Sequence, residues 1–122
     1  MIFARVAAVL GFLAVALGAF GAHGLRARLG PADLDVWRTA ALYHLVHAVA
    51  LLAVALAGGR VRHGRLVCGL WTGGVVIFAG SLYLLAVTGV RWLGAITPVG
   101  GAAFLAGWLV LAVTSWRPAA ER

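Results

Sequence analysis

The run from Ala40 to Ala57 reads AALYHLVHAVALLAVALA and carries no Asp, Glu, Lys or Arg over its 18 residues. As a helix it spans about 27 Å, close to the ~30 Å hydrocarbon core of a bilayer. Only a helix or a closed barrel crosses such a layer, because backbone polar groups find no water there. The apolar/polar alternation of a strand is absent, so a helix is the reading. Three more apolar runs stand in the chain: Val6 to Ala22 with Arg5 just ahead of it, Leu66 to Thr88, and Trp92 to Trp116. The fold class that follows is all-α: a polytopic membrane protein built as one four-transmembrane-helix bundle over residues 1–122, with helices near 3–22, 32–57, 66–88 and 98–116.

Composition agrees with this reading. Hydrophobic residues make up 64% of the 122, 17 glycines come on top, and charged residues are only 11%. An ordinary soluble domain is roughly 45–50% apolar with glycine included and about 25% charged. A soluble chain of this size could not hide so much apolar surface. All ten basic residues are Arg, and the acids are Asp33, Asp35 and Glu121, none within an apolar run. A basic balance can signal nucleic acid, but these arginines flank apolar segments, where they set topology and meet lipid phosphates. The partner expected is the lipid bilayer, with no nucleic acid. Cys68 is the one cysteine, so no internal disulfide forms.

The connections sharpen the boundaries. The first run exceeds the ~7–15-residue core of a secretory signal, so it is read as a helix that stays in the protein. Gly30-Pro31 marks a loop and a helix start, with Pro31 at the first helical position. Asp33 and Asp35 fall in its opening turns, where carboxylates favour the helix dipole. A helix from Pro31 to Ala57 is about 40 Å long and outruns the membrane, which places Trp37 at headgroup level. Gly58-Gly59 ends it, and Arg60, Arg62, His63 and Arg65 form a basic loop with His63 solvated. Gly89 reads as a C-cap. Thr97-Pro98 reads as an N-cap followed by Pro at the first helical position, with Val90 to Ile96 as an interfacial connection. The alternative is a helix that begins near Trp92 and kinks at Pro98.

Arginine counting gives an orientation. Arg5, Arg60, Arg62, Arg65, Arg117 and Arg122 share one side; Arg26, Arg28, Arg38 and Arg91 share the other. The positive-inside rule then puts both termini in the cytoplasm. Between helices, lipid removes the hydrophobic drive and close packing of small residues replaces it. Gly11 and Gly18 mark such a face on helix 1, Gly69, Gly73 and Gly80 on helix 3, and Gly100 and Gly107 on helix 4. They point to a tight bundle, a homo-oligomer, or both.

The polar residues inside the apolar runs are the candidate site: His23, Tyr43, His44, His47, Ser81, Tyr83 and Thr97. His44 and His47 share a helix face, and Tyr43 neighbours His47 one turn away. Topology carries all of them toward the non-cytoplasmic end, leaving Cys68, Thr72 and Thr114 as the polar groups of the opposite half. Two readings stand open. The groups hydrogen-bond across helices and cap their ends, contributing roughly 0.6–2 kcal/mol each. Or His23, His44 and His47 hold a ligand, since ionisable groups inside membranes are functional candidates by default. Three imidazoles suit zinc or copper, or the edge of a haem or quinone. No carboxylate or thiol joins them, and no cofactor is required by the pattern.

Catalysis has no visible machinery. The chain shows no Ser/His/Asp set, no paired carboxylates, no phosphate loop and no HExxH. Small four-helix drug exporters couple to protons through a membrane carboxylate, and none of the apolar runs has one.

Four stretches carry a family resemblance. They are Leu17-Gly18-Ala19-Phe20-Gly21-Ala22-His23-Gly24-Leu25, Thr39-Ala40-Ala41-Leu42-Tyr43-His44-Leu45-Val46-His47-Ala48, Phe78-Ala79-Gly80-Ser81-Leu82-Tyr83-Leu84-Leu85, and Trp92-Leu93-Gly94-Ala95-Ile96-Thr97-Pro98-Val99-Gly100-Gly101. With them the chain resembles the YgdD-like family of small bacterial membrane proteins, related to a small eukaryotic transmembrane protein. Where that family often has Ser, this chain has Ala79. The resemblance implies a four-helix inner-membrane protein and supplies no reaction. It places His23, Tyr43, His47, Ser81, Tyr83, Thr97 and Pro98 in the family's signature segments. The expected function is a non-enzymatic, structural or accessory membrane protein; the alternative is a binding or transport module for a small ligand, metal or lipid.

Overall fold

The computed structural model describes residues 1–118. Glu121 and Arg122, counted in the charge balance above, lie outside the described residues. Four helical spans are long and apolar enough to cross a membrane. They are α1 (Ile2–His23), α2 (Pro31–Ala57), a third span made of α3 (Gly64–Gly74), a π-helical segment (Val75–Ala79) and α4 (Gly80–Thr88), and α5 (Leu93–Val113).

Pro31 opens α2 at its first helical position, with Asp33 in the first turn. Gly58 ends α2 at φ 58° and Gly89 ends α4 at φ 71°, a backbone region that costs glycine little and side-chain-bearing residues more. A 3₁₀ turn, Gly58–Arg60, leads into the basic loop.

α2 packs against α1 on one side and against the third span on the other; α5 packs against the third span. The core sits where α2, α3 and α5 meet, around the fully buried Trp71, Leu51 and Val67. A smaller cluster of Leu25, Trp37 and Ala86 closes the opposite end. Large apolar side chains point outward, including Phe12, Leu105 and Val113 at 73%, 72% and 76% exposure. Such faces suit hydrocarbon, where only the backbone must be satisfied internally.

Both ends of the fourth helix differ from expectation. The fourth helix begins at Leu93, not at Pro98, and Pro98 lies inside it. Thr97 is therefore no N-cap: its hydroxyl bonds back to the Leu93 carbonyl at 3.3 Å. Proline removes one ladder bond, and in membrane helices neighbouring helices and Ser/Thr side chains make up for it. The start is instead built by the tight bonds Leu93 N–H to Val90 O, Gly94 N–H to Arg91 O and Ala95 N–H to Trp92 O. The helix also ends earlier than expected, at Val113, because the chain turns extended at Thr114.

Candidate functional site

The polar side chains fall into three groups along the bundle. At the α1–α2 connection end, the Trp37 indole N–H donates to the Leu17 carbonyl at 2.9 Å. Gly21 makes room for this indole, since a Cβ there would collide with the ring. Trp37 is 4% exposed, an interior residue of the bundle and not a headgroup anchor. The indole lies 4.5 Å from the Tyr83 ring, centroid to centroid.

The second group joins α2, α4 and α5. His44 Nδ1 and the Tyr83 hydroxyl are 2.9 Å apart. His44 Nε2 is buried with no hydrogen-bond partner among the described residues. Beside this pair, Ser81 Oγ meets Thr97 Oγ1 at 2.6 Å, and Ser81 also reaches the Phe78 carbonyl at 3.0 Å. Two hydroxyl protons thus serve three contacts, counting Thr97 to Leu93.

The π segment lies next to these hydroxyls. There the Gly80 N–H reaches back five residues to the Val75 carbonyl. The widened turn lets the Phe78 backbone approach Gly100 on α5, where an added Cβ would overlap the Phe78 nitrogen. π-bulges are frequent at functional positions.

His47 forms the third group. Its Nδ1 is 2.8 Å from the Tyr43 carbonyl, and its Nε2 is 2.9 Å from the Trp108 indole nitrogen. A carbonyl only accepts and an indole N–H only donates. The ring is therefore neutral, with its proton on Nδ1 and its Nε2 lone pair facing Trp108. Phe104 stacks on the imidazole at 3.7 Å and 10° between planes. The Trp71 indole donates to the Phe104 carbonyl at 3.2 Å, and Gly107 gives that indole its place.

The expectation of one gathered cluster is corrected here. Trp71 stands seven residues after Gly64 and seventeen before Thr88. Its neighbour His47 is thus in the half of the bundle nearer the arginine-rich loop. The polar groups of that half include Trp71, Trp108 and His47 besides Cys68, Thr72 and Thr114. Thr72 satisfies itself on the Cys68 carbonyl of its own helix at 2.7 Å. His23 is exposed at the end of α1, apart from the other histidines. Tyr43 is 43% exposed and contributes ring contacts to His47, Phe78 and Phe104. Among the described residues, no three His, Cys, Asp or Glu side chains form a group able to hold a metal ion. The trio His23, His44 and His47 is not a metal site in this geometry.

The glycines divide as well. Gly100 and Gly107 sit in close interhelical contact, and so do Gly21 and Gly74, which the small-residue spacing missed. Gly11, Gly18, Gly69, Gly73 and Gly80 meet nothing of their own chain within 4 Å of an added Cβ. The signal for Trp37, Trp71 and Trp108 was present in the sequence. An indole N–H in an apolar span needs an acceptor, and each of these finds one.

A family model described as a protein of unknown function, DUF423, matches residues 17–101. That stretch contains Trp37, His44, His47, Ser81, Tyr83 and Thr97. The chain belongs to the DUF423 family. It is 42% identical over 117 residues to the UPF0382 membrane protein YwdK of Bacillus subtilis, covering 93% of this chain and 95% of that protein. It is 43% identical over 111 residues to a UPF0382 membrane protein of Haemophilus influenzae, covering 90% of each. It is 39% identical over 116 residues to the UPF0382 inner membrane protein YgdD of Escherichia coli, covering 91% of this chain and 86% of YgdD. No solved structure matches. This DUF423 chain is a small four-helix membrane protein, and its family carries no assigned reaction.

Proposed function

We propose that the protein is a structural or accessory component of the bacterial inner membrane with no chemistry of its own. In this reading its inner polar groups are interhelical glue. The observation that carries it is His47, whose two ring nitrogens are both occupied by the protein's own Tyr43 carbonyl and Trp108 indole. A ligand or metal would have to displace one of them. Ser81 and Thr97 likewise spend their hydroxyls on each other and on backbone carbonyls. The Arg distribution supports cytoplasmic termini, and the name of the Escherichia coli relative supports the inner membrane. Self-association is part of the proposal: a Cβ added at Gly11, Gly18, Gly69, Gly73 or Gly80 would meet open space, so these positions can let a second copy approach closely.

The test is native mass spectrometry and metal analysis of protein purified in mild detergent. The expected outcome is no stoichiometric metal, haem or quinone, and a species heavier than the monomer that Gly69→Leu and Gly73→Leu reduce. Stoichiometric metal or cofactor would overturn the non-chemical reading; a monomer alone would overturn self-association.

One observation favours a second reading, a binding or transport module for a small ligand. His44 Nε2 is buried without a well-formed hydrogen bond, with only the Leu10 backbone within reach of the ring. A hydrogen-bonding ligand retained by the native protein and lost in His44→Phe would establish that reading over the first.

A further inference from the structure

The arginine-rich end holds a cavity of about 540 Å³ between the start of α1, the end of α2 and the start of α3. Arg62, Arg65 and Arg117 line it. Its other wall is apolar and includes Phe3, Val54 and Leu66. We infer that this cavity binds the phosphate headgroup of an anionic membrane lipid.

The backbone brings these arginines together on purpose-built pairing. Val61 and Trp116 form an antiparallel bridge. The Arg62 N–H donates to the Ser115 carbonyl at 3.2 Å, and the Arg117 N–H to the Arg60 carbonyl at 2.8 Å. The chain after α5 is thereby tied to the loop after α2, and Arg117 is carried to Arg62 and Arg65. Without that tie, Arg117 would be the tail of a helix end with no fixed neighbour.

Among the described residues, no acidic side chain pairs with the charge at this end. Asp33 and Asp35 stand at the far end of α2, where Asp35 pairs with Arg38 at 3.4 Å. That is the one ion pair among the described residues. Guanidinium groups are planar, always charged and matched to phosphate oxygens by two parallel N–H donors. α3 starts at the same rim with no side-chain cap; the Gly64 N–H is taken by the Val61 carbonyl, and the N–H groups that follow it favour an anion there too.

The apolar wall selects the source of the phosphate. A free anion would lie against Phe3, Val54 and Leu66 without complement. A phospholipid brings its own glycerol and acyl chain to cover them. The rim continues onto lipid-facing surface at Ile2 and Leu66, 61% and 53% exposed, so the chain has a path out into the bilayer. Basic pockets at the membrane interface recognise acidic headgroups by this chemistry.

The test titrates the full chain in detergent with phosphatidylglycerol, phosphatidylcholine and inorganic phosphate, read by native mass spectrometry. Detergent makes the result independent of insertion direction, which these arginines also influence. Phosphatidylglycerol should be retained over phosphatidylcholine, and Arg62→Gln, Arg65→Gln and Arg117→Gln should each weaken retention about fivefold. Arg26→Gln and Arg28→Gln, at the opposite end, should leave it unchanged. The substituted side chains are exposed, and an unchanged melting temperature verifies that each variant folds. Equal retention of the two lipids, or equal loss from variants at either end, overturns the site. Arginine-dependent binding of inorganic phosphate that displaces the lipid overturns the lipid as occupant.

Discussion

Trp108 on α5 donates its indole N–H to Nε2 of His47 on α2, 2.9 Å away and 61 residues apart in sequence. Between the two helices this bond fixes both rotation and height, because each ring is also packed. His47 stacks on Phe104, and Trp108 lies 4.5 Å from Trp71. In hydrocarbon the alternative to the bond is an unsatisfied donor and acceptor, which is why the pair acts as a register pin.

The pair should therefore behave as a coupled unit. Trp108→Phe and His47→Phe are each expected to destabilise the bundle, with a coupling of roughly 0.6–2 kcal/mol between them. Unfolding in mixed micelles on the two single variants and the double variant measures it. Additive effects would show that the bond contributes nothing.

Close approach at Gly100 should be sharply sensitive. Its neighbour is the Phe78 backbone, which cannot swing aside as a side chain end can. Gly100→Ala is expected to cost about 1–3 kcal/mol as overpacking. Gly73→Ala, with open space at its Cβ position inside α3, should not lower monomer stability in the same melt.

Ser81 and Thr97 should be non-additive. Ser81→Ala leaves Thr97 its bond to the Leu93 carbonyl, and Thr97→Val leaves Ser81 its bond to the Phe78 carbonyl. Each single change is expected to cost about 0.6 kcal/mol. The double variant also loses the carbonyl bond that each single keeps, so it should cost more than either single and less than their sum, the shortfall being the shared Ser81–Thr97 bond; the same unfolding measurement reads it.

Two tyrosine variants separate bonding from packing. Tyr83→Phe removes the one side-chain hydrogen bond of His44 among the described residues and leaves its ring only the Leu10 backbone within reach. Leaving a buried imidazole nitrogen unsatisfied costs about 1–3 kcal/mol. Tyr43→Phe keeps the ring contacts and removes no described hydrogen bond, so its melting temperature should stay near that of the parent.

Much of this architecture was legible in the chain. The run Ala40–Ala57 and its three counterparts need only length and the absence of charge to be read as spans. Pro31, Gly58 and Gly89 punctuate the helices where local chemistry demands. Thr97-Pro98 was harder: the two residues fit a helix start equally well, and only the tight turn from Val90 to Ala95 shows that the helix had already begun. The grouping of the polar residues was not legible. Helix number and direction give no axial offset between neighbours, so His47 could not be matched to Trp71 and Trp108. Trp37 has the composition of an interface anchor and the position of a core residue; the difference lies in Gly21, which opens the space for its ring. The union of Arg117 with Arg62 and Arg65 depends on a β-bridge of single residues, which leaves no periodic trace.

The position of the proton on His47 decides whether this ring pins α2 to α5. Nitrogen-15 NMR of imidazole-labelled protein in lipid reads which ring nitrogen carries it. The expected result is a neutral ring protonated at Nδ1, with Nε2 unprotonated and its signal shifted by Trp108→Phe. A ring protonated at Nε2, or one whose signals move on adding zinc or copper, would contradict the reading of His47 as a pin between helices.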